Sequence, residues 1–194
     1  MGKIEPAEQF GERLFAEAVR RGLSEAERVV VLGDGAAWIK NIVETHFPGA
    51  THIIDLYHVR QHVSTLCKLL YPGNQNKVIE YRGRWWKDLD EGNVEKVVCE
   101  ARRRLRARPD LREIAEAEIG YMDKNKERMR YGLFRAQGLF IGSGVVEAAC
   151  GSIIGHRLKQ SGMEWSLRGA NAIISLRCVL KSARLDDYWE ARAA

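Results

Sequence analysis

The segment Val29-Val30-Val31-Leu32-Gly33-Asp34-Gly35 decides the fold class of this chain. Three valines and a leucine in succession do not alternate wet and dry positions. The run therefore reads as a strand covered on both faces, as strands of parallel sheets are. Gly33 ends it. Residues 36 to 46 then carry Trp38, Ile39, Ile42 and Val43 as an apolar helical stripe, and Pro48-Gly49 break that helix. Thr51-His52-Ile53-Ile54-Asp55 follows as a second short apolar run. Strand, helix and strand form the minimal crossover unit, which makes the strands parallel and the connection right-handed.

Upstream, Pro6 to about Leu23 reads as a helix, with Phe10, Leu14, Phe15, Ala18 and Val19 at helical spacing. Pro6 suits its first turn and Gly22 can stop it. Downstream, Leu56 to about Tyr131 reads as helices only, broken at Pro72-Gly73, Gly92-Asn93 and Pro109-Asp110. Gly138 to Gly144 is a loop, and Val145 to about Leu158 and Leu167 to about Ala183 are further helices. The expected class is α/β, mostly helical, with two parallel strands. Residues 1–60 form a core, 61–135 a helical insertion and 136–194 a C-terminal helical part.

Composition bounds the function. The 194 residues are 45% hydrophobic and 29% charged, which excludes whole-chain disorder and low-complexity classes. No stretch approaches the roughly 18–20 apolar residues of a membrane span. The opening MGKIEPAEQF has no signal-peptide core, and Pro6 stands where a myristoylation signal has Ser or Thr. A cytoplasmic protein without a membrane partner is expected. The four cysteines, Cys67, Cys99, Cys150 and Cys178, have no zinc spacing and read as buried thiols.

The net charge of +5 is unevenly spread. Arg102, Arg103, Arg104, Arg106 and Arg108 crowd one stretch, and Arg157, Lys159, Arg168 and Arg177 cluster later. Such clusters are either a footprint for phosphates or a solvated helix face.

Three constellations carry chemistry. Asp34 directly follows the first strand and Asp55 ends the second. In adjacent parallel strands both stand at the carboxyl edge, where open α/β sheets bind ligands. Carboxylates there suit Mg²⁺ or Mn²⁺, though Asp34 equally suits a helix cap. Asp55, His58 and His62 share one helical face, either as a transition-metal set or as a cap with a neighbouring histidine. Glu147 follows Gly142-Ser143-Gly144 by one helical turn among Val145, Val146, Ala148 and Ala149, and is either a surface or a site carboxylate.

Three long segments, LGDGAAWI, FPGATHIIDLYH and KERMRYGLFRAQGLFIGSGVVEAACGSIIGHRLKQSGMEW, resemble the C-terminal half of bacterial insertion-sequence DDE transposases. The nearest type is ISKra, with Mutator-like enzymes as wider kin. The resemblance runs from about Phe10 to Trp189. It implies an RNase H-like fold with the first three strands missing from this chain. Asp34 then matches the second catalytic acid, Asp55 to His58 the D-x-x-H signature, and Glu147 the third acid. It further implies a two-ion Mg²⁺ or Mn²⁺ site that cleaves and transfers DNA strands by nucleotidyl transfer. The partner would be DNA, at the element ends and at the target.

The family's first catalytic Asp lies on a strand ahead of the first helix, and Met1 immediately precedes that helix here. A transposase fragment, inactive alone, is therefore expected. It would self-associate through its uncovered strand or pair with an upstream fragment. The alternative is a non-catalytic DNA-binding or regulatory remnant. Arg157, Lys159 and Trp165 are the expected DNA contacts, Trp165 by packing or base stacking if it is not in the core.

Overall fold

A computed structural model of the chain describes residues 2–193, and the side chains of residues 145–147 and 191–193 fall outside the described set. The chain forms two compact units, residues 11–143 and residues 1–10 with 144–194. Among the described residues the only sheet has two parallel strands, β1 (Val30–Gly33) and β2 (Thr51–Ile54). Their register runs from Val30 opposite Thr51 to Gly33 opposite Ile54. The mostly helical α/β class expected from the sequence is thus present.

Helix α1 (Ala7–Arg20), which belongs to the larger unit from Gly11 on, stops at Gly22, whose φ of 89° is the left-handed turn a glycine adopts readily. Helix α2 (Ala37–His46) connects the strands. Phe15 reaches α2 and the residue after it, with ring centroids 5.8 Å from His46 and 5.9 Å from Phe47. The rest of the expected α1 stripe is less covered: Leu14 and Val19 are exposed. The two strands also differ. Ile53 and Ile54 of β2 are wholly buried, whereas Val30 of β1 is exposed.

Four longer helices build the core: α3 (Leu56–Leu70), α4 (Gln75–Asp90), α5 (Val94–Leu105) and α6 (Arg112–Asn125). Helix α3 packs on α4 and α6, and α5 packs on the same two. Val59, Val63, Leu66 and Cys67 form the buried stripe of α3, facing Trp85 and Leu89 of α4 and Ile119 and Met122 of α6. Trp85 is fully buried, and its indole N–H donates to Glu100 at 3.0 Å, which meets the polar requirement of a buried indole. The short helix α7 (Tyr131–Ala136) contributes Tyr131, whose buried hydroxyl donates to the Ile54 carbonyl at 2.9 Å. This bond ties the helical layer to the end of β2.

In the smaller unit, α8 (Gly144–Cys150) runs into a π-helical turn (Gly151–Gly155) and a last turn, α9 (His156–Leu158). The single helix expected from Val145 to Leu158 is therefore interrupted. A π turn frees carbonyl groups from the i→i−4 ladder. Arg177 of α10 (Leu167–Lys181) donates to two of them, Ser152 O and Ile153 O. Ser166 caps α10 by accepting from the Gly169 N–H at 3.1 Å. Residues 2–4 lie along α10, where the Ile4 N–H donates to Asn171 at 2.7 Å and Ser175 donates to the Gly2 carbonyl. Helix α11 (Leu185–Ala193) ends the unit.

One expectation needs correction. All four cysteines are free thiols, but only Cys67 is buried, and Cys99 and Cys150 are exposed. The arginine stretch, open between two readings in the sequence, is largely paired with carboxylates. Arg102 pairs with Glu116 and Asp123, Arg103 and Arg104 with Glu100, and Arg108 with Asp110.

Candidate functional site

The site is assembled at the carboxyl ends of β1 and β2. The ladder continues past the strands through the Asp55 N–H, which donates to Gly33 O at 2.7 Å. Asp34 and Asp55 therefore leave the sheet at the same edge, as their strand positions required.

Their environments differ. Asp34 is exposed, and its Oδ1 accepts the Ala36 N–H at 2.9 Å, holding the turn that enters α2. Its Oδ2 has no partner among the described residues. Its backbone carbonyl accepts the Tyr121 hydroxyl at 2.8 Å. Burial, and then the negative charge of Asp34, push the Tyr121 phenol up to about 12, so it remains a donor at neutral pH. Gly35 makes this approach possible. Its φ is 82°, and a Cβ there would overlap the Tyr121 hydroxyl and lie 2.9 Å from Ile54 Cδ1.

Asp55 is 3% exposed, and both of its oxygens accept backbone N–H groups. Oδ1 takes the His58 N–H at 2.8 Å and caps α3, while Oδ2 takes the Ser143 N–H in a short hydrogen bond. Beside it, the Leu56 N–H donates to Ile141 O at 2.9 Å, and Gly142 lies against the Tyr57 ring. Asp55 is thus a fastening between the β2–α3 corner and the loop of residues 139–143.

His58 and His62 lie one turn apart on α3, with Nε2 atoms 3.2 Å from each other. His62 Nδ1 is 2.5 Å from a Glu118 oxygen, and its ring stacks on Tyr121 at 4.2 Å. Glu118 and Tyr121 come from α6 and were not anticipated. Their i, i+3 spacing there carries no signal of its own, because the partner helix lies some sixty positions earlier.

Not every expected residue joins this edge. Glu147 lies on α8, and its side chain is outside the described residues. Arg157, Lys159 and Trp165 are exposed in the smaller unit. Trp165 is 37% exposed and therefore not a core residue.

A hard divalent ion wants several oxygen donors. Asp34 fits that chemistry through its unpartnered Oδ2. Asp55, with both oxygens engaged, does not fit it in this conformation. Among the described residues, no group of three or more His, Cys, Asp or Glu side chains is arranged to hold a metal. Among them also, no helix is long and apolar enough to cross a membrane.

No solved structure matches the chain. Two proteins of Caldanaerobacter subterraneus subsp. tengcongensis, both named UPF0236 proteins, are 27% and 28% identical to it over 167 residues. Each alignment covers 80% of this chain and 32% or 31% of the relative. The chain therefore spans about a third of the length of the curated relatives it matches. The model of the family described as "Uncharacterised protein family (UPF0236)" matches residues 9–188, nearly the whole chain, which places this protein in the UPF0236 family.

Proposed function

We propose that this chain carries part of the catalytic core of a DDE transposase, with β1 and β2 belonging to an RNase H-like sheet. The observation that carries the reading is Asp34: an exposed carboxylate with one uncommitted oxygen, at the carboxyl end of a parallel strand. It lies in the segment LGDGAAWI that resembles the family's second-acid motif. A second support is the naming of the relatives. One name joins eleven numbered designations of a single genome, and another joins four. A protein that recurs under many designations in one genome comes from a repeated gene, and repetition is what a mobile element leaves behind.

In this reading Asp34 and Glu147 supply two of three acids for Mg²⁺ or Mn²⁺. Bound there, the metal would activate a water or 3′-hydroxyl and stabilise the leaving oxygen. The protein's own contribution is to hold Asp34 still. Tyr121 fixes its carbonyl, the Ala36 N–H fixes one oxygen, and Asp55 secures the neighbouring strand end. The DNA-binding remnant is the weaker reading, because the arginine stretch that favoured it is paired with carboxylates.

The test is strand cleavage of duplexes that carry the borders of the gene, in Mg²⁺ or Mn²⁺. The 194-residue chain is expected to leave them uncut. A full-length UPF0236 relative is expected to cut them, and to lose that activity when the carboxylate matching Asp34 or Glu147 becomes alanine. Cleavage that survives both substitutions refutes the assignment.

A further inference from the structure

At the amino end of β2, the edge opposite Asp34, lies a cleft of about 440 Å³. Lys40, Glu44, Phe47, His52 and Arg128 line it, with the Pro48–Ala50 turn. We propose that this cleft binds a phosphate group, with Arg128 and Lys40 as its donors and His52 positioning Arg128. The inference does not depend on the transposase reading.

Three observations converge. First, Arg128 Nη1 lies 3.4 Å from His52 Nδ1. A guanidinium can only donate, so Nδ1 accepts and the ring proton sits on Nε2. That Nε2–H is buried and has no partner. It has no exposed surface through which to touch a ligand, so the ring serves the cleft by holding Arg128 at its wall. Burial, and then the charge of Arg128, push the His52 ring down to about 4, so the neutral tautomer persists at pH 7.

Second, Arg128 has no countercharge. Its Nη2 donates to the Asn125 side-chain oxygen, further N–H groups remain, and among the described residues no carboxylate lies within ion-pair distance of it. Half-buried arginines are normally paired, as Arg130 is here with Glu95 and Glu127. Third, Lys40 adds a cation at the rim, offset by Glu44 at 3.4 Å. The cleft therefore holds two cations against one carboxylate. Its volume exceeds what a small ion needs, and Phe47 and Pro48 give it an apolar wall. A phosphate carried on a nucleotide or a nucleic-acid backbone has the charge, acceptor count and bulk to fill it.

The experiment is a nitrogen-15 NMR titration of the histidine rings of the whole chain, with His52 assigned by His52→Gln. Inorganic phosphate and then a short DNA duplex are added, with chloride at matched ionic strength as the control. The expected result is a saturable shift of the His52 ring nitrogens, largest at Nδ1 where Arg128 lies. A shift with phosphate alone identifies a free-anion site, and a shift with duplex only identifies a backbone phosphate; either supports the proposal. Arg128→Gln should weaken the interaction at least about tenfold, the loss of one charge-assisted hydrogen bond. Lys40→Gln, on an exposed side chain that leaves folding intact, should weaken it by a smaller factor and keeps the test available if Arg128→Gln does not fold. No shift with either ligand overturns the proposal, as does a shift that Lys40→Gln and any folded Arg128→Gln leave unchanged.

Discussion

Replacing Asp55 by alanine separates a fastening role from a metal-ligand role. The substitution removes the α3 cap, worth about 1 kcal/mol. It also removes the acceptor of the Ser143 N–H. That group is only partly buried, so its loss belongs at the low end of the range for an unmet donor, about 1 kcal/mol. The sum is about 2 kcal/mol. At about 2–4 °C per kcal/mol for a chain of this size, the unfolding midpoint should fall by about 4–8 °C. Asp55→Asn keeps an oxygen for the His58 N–H but turns an NH₂ toward the Ser143 N–H, so it should fall in between. Asp34→Ala, on an exposed carboxylate with one backbone hydrogen bond, should cost no more than about 1 kcal/mol. Thermal unfolding followed by circular dichroism gives the ranking, and amide exchange at Ser143 reports the local bond. A carboxylate kept only as a metal ligand would have no backbone partners to lose in the empty site, so its removal would leave stability nearly unchanged. An Asp55→Ala protein that melts with the wild type, its Ser143 amide equally protected, would refute the fastening role.

Two further outcomes follow from the thiols and from His52. Burial pushes the Cys67 thiol up to about 12, so iodoacetamide at neutral pH should label Cys99 and Cys150 first and spare Cys67 until the chain unfolds; early Cys67 labelling by mass spectrometry would contradict its place in the core. His52 has a folded pKa of about 4 against roughly 6.5 when unfolded, so the unfolded chain binds the proton more readily between those values. The stability this ring contributes is present above about 6.5 and is lost as pH falls toward about 4. Urea midpoints measured across that window should drop in the wild type and drop less in His52→Gln.

The strands were legible because a β-branched run needs no tertiary information to be read. The same holds for the helix breaks at Gly22, Pro72-Gly73 and Gly92-Asn93, where backbone chemistry acts locally. The π turn was not legible, since Gly151-Ser-Ile-Ile-Gly155 keeps a helix-compatible pattern and the bonds that stabilise it come from Arg177. The exposed cysteines were partly legible. On α5 the buried positions are Val94, Val97, Val98, Ala101 and Leu105, and Cys99 falls off that stripe. Of the site, the edge position of Asp34 and Asp55 followed from the parallel strands. Their division of labour did not, because it is set by Ser143 and Tyr121, each more than eighty positions from the aspartate it touches. The arginine stretch stayed open between two readings for a related reason. Glu100 and Asp110 lie close in sequence to the arginines they pair with, but Arg102 is neutralised from α6.

Gly35 bears on how substitutions at this edge would register in a mutational scan. Every single-nucleotide missense change in a glycine codon installs a side chain. At this residue any Cβ meets both a left-handed backbone and the space already filled by Tyr121 and Ile54. The first thing displaced is the phenol that holds the Asp34 carbonyl, while the buried stripe of α3 is untouched. Variants at Gly35 would therefore lose stability through the strained turn and the crowding of Ile54, and would release Asp34 at the same stroke. A position with no functional group would then report on the carboxylate beside it.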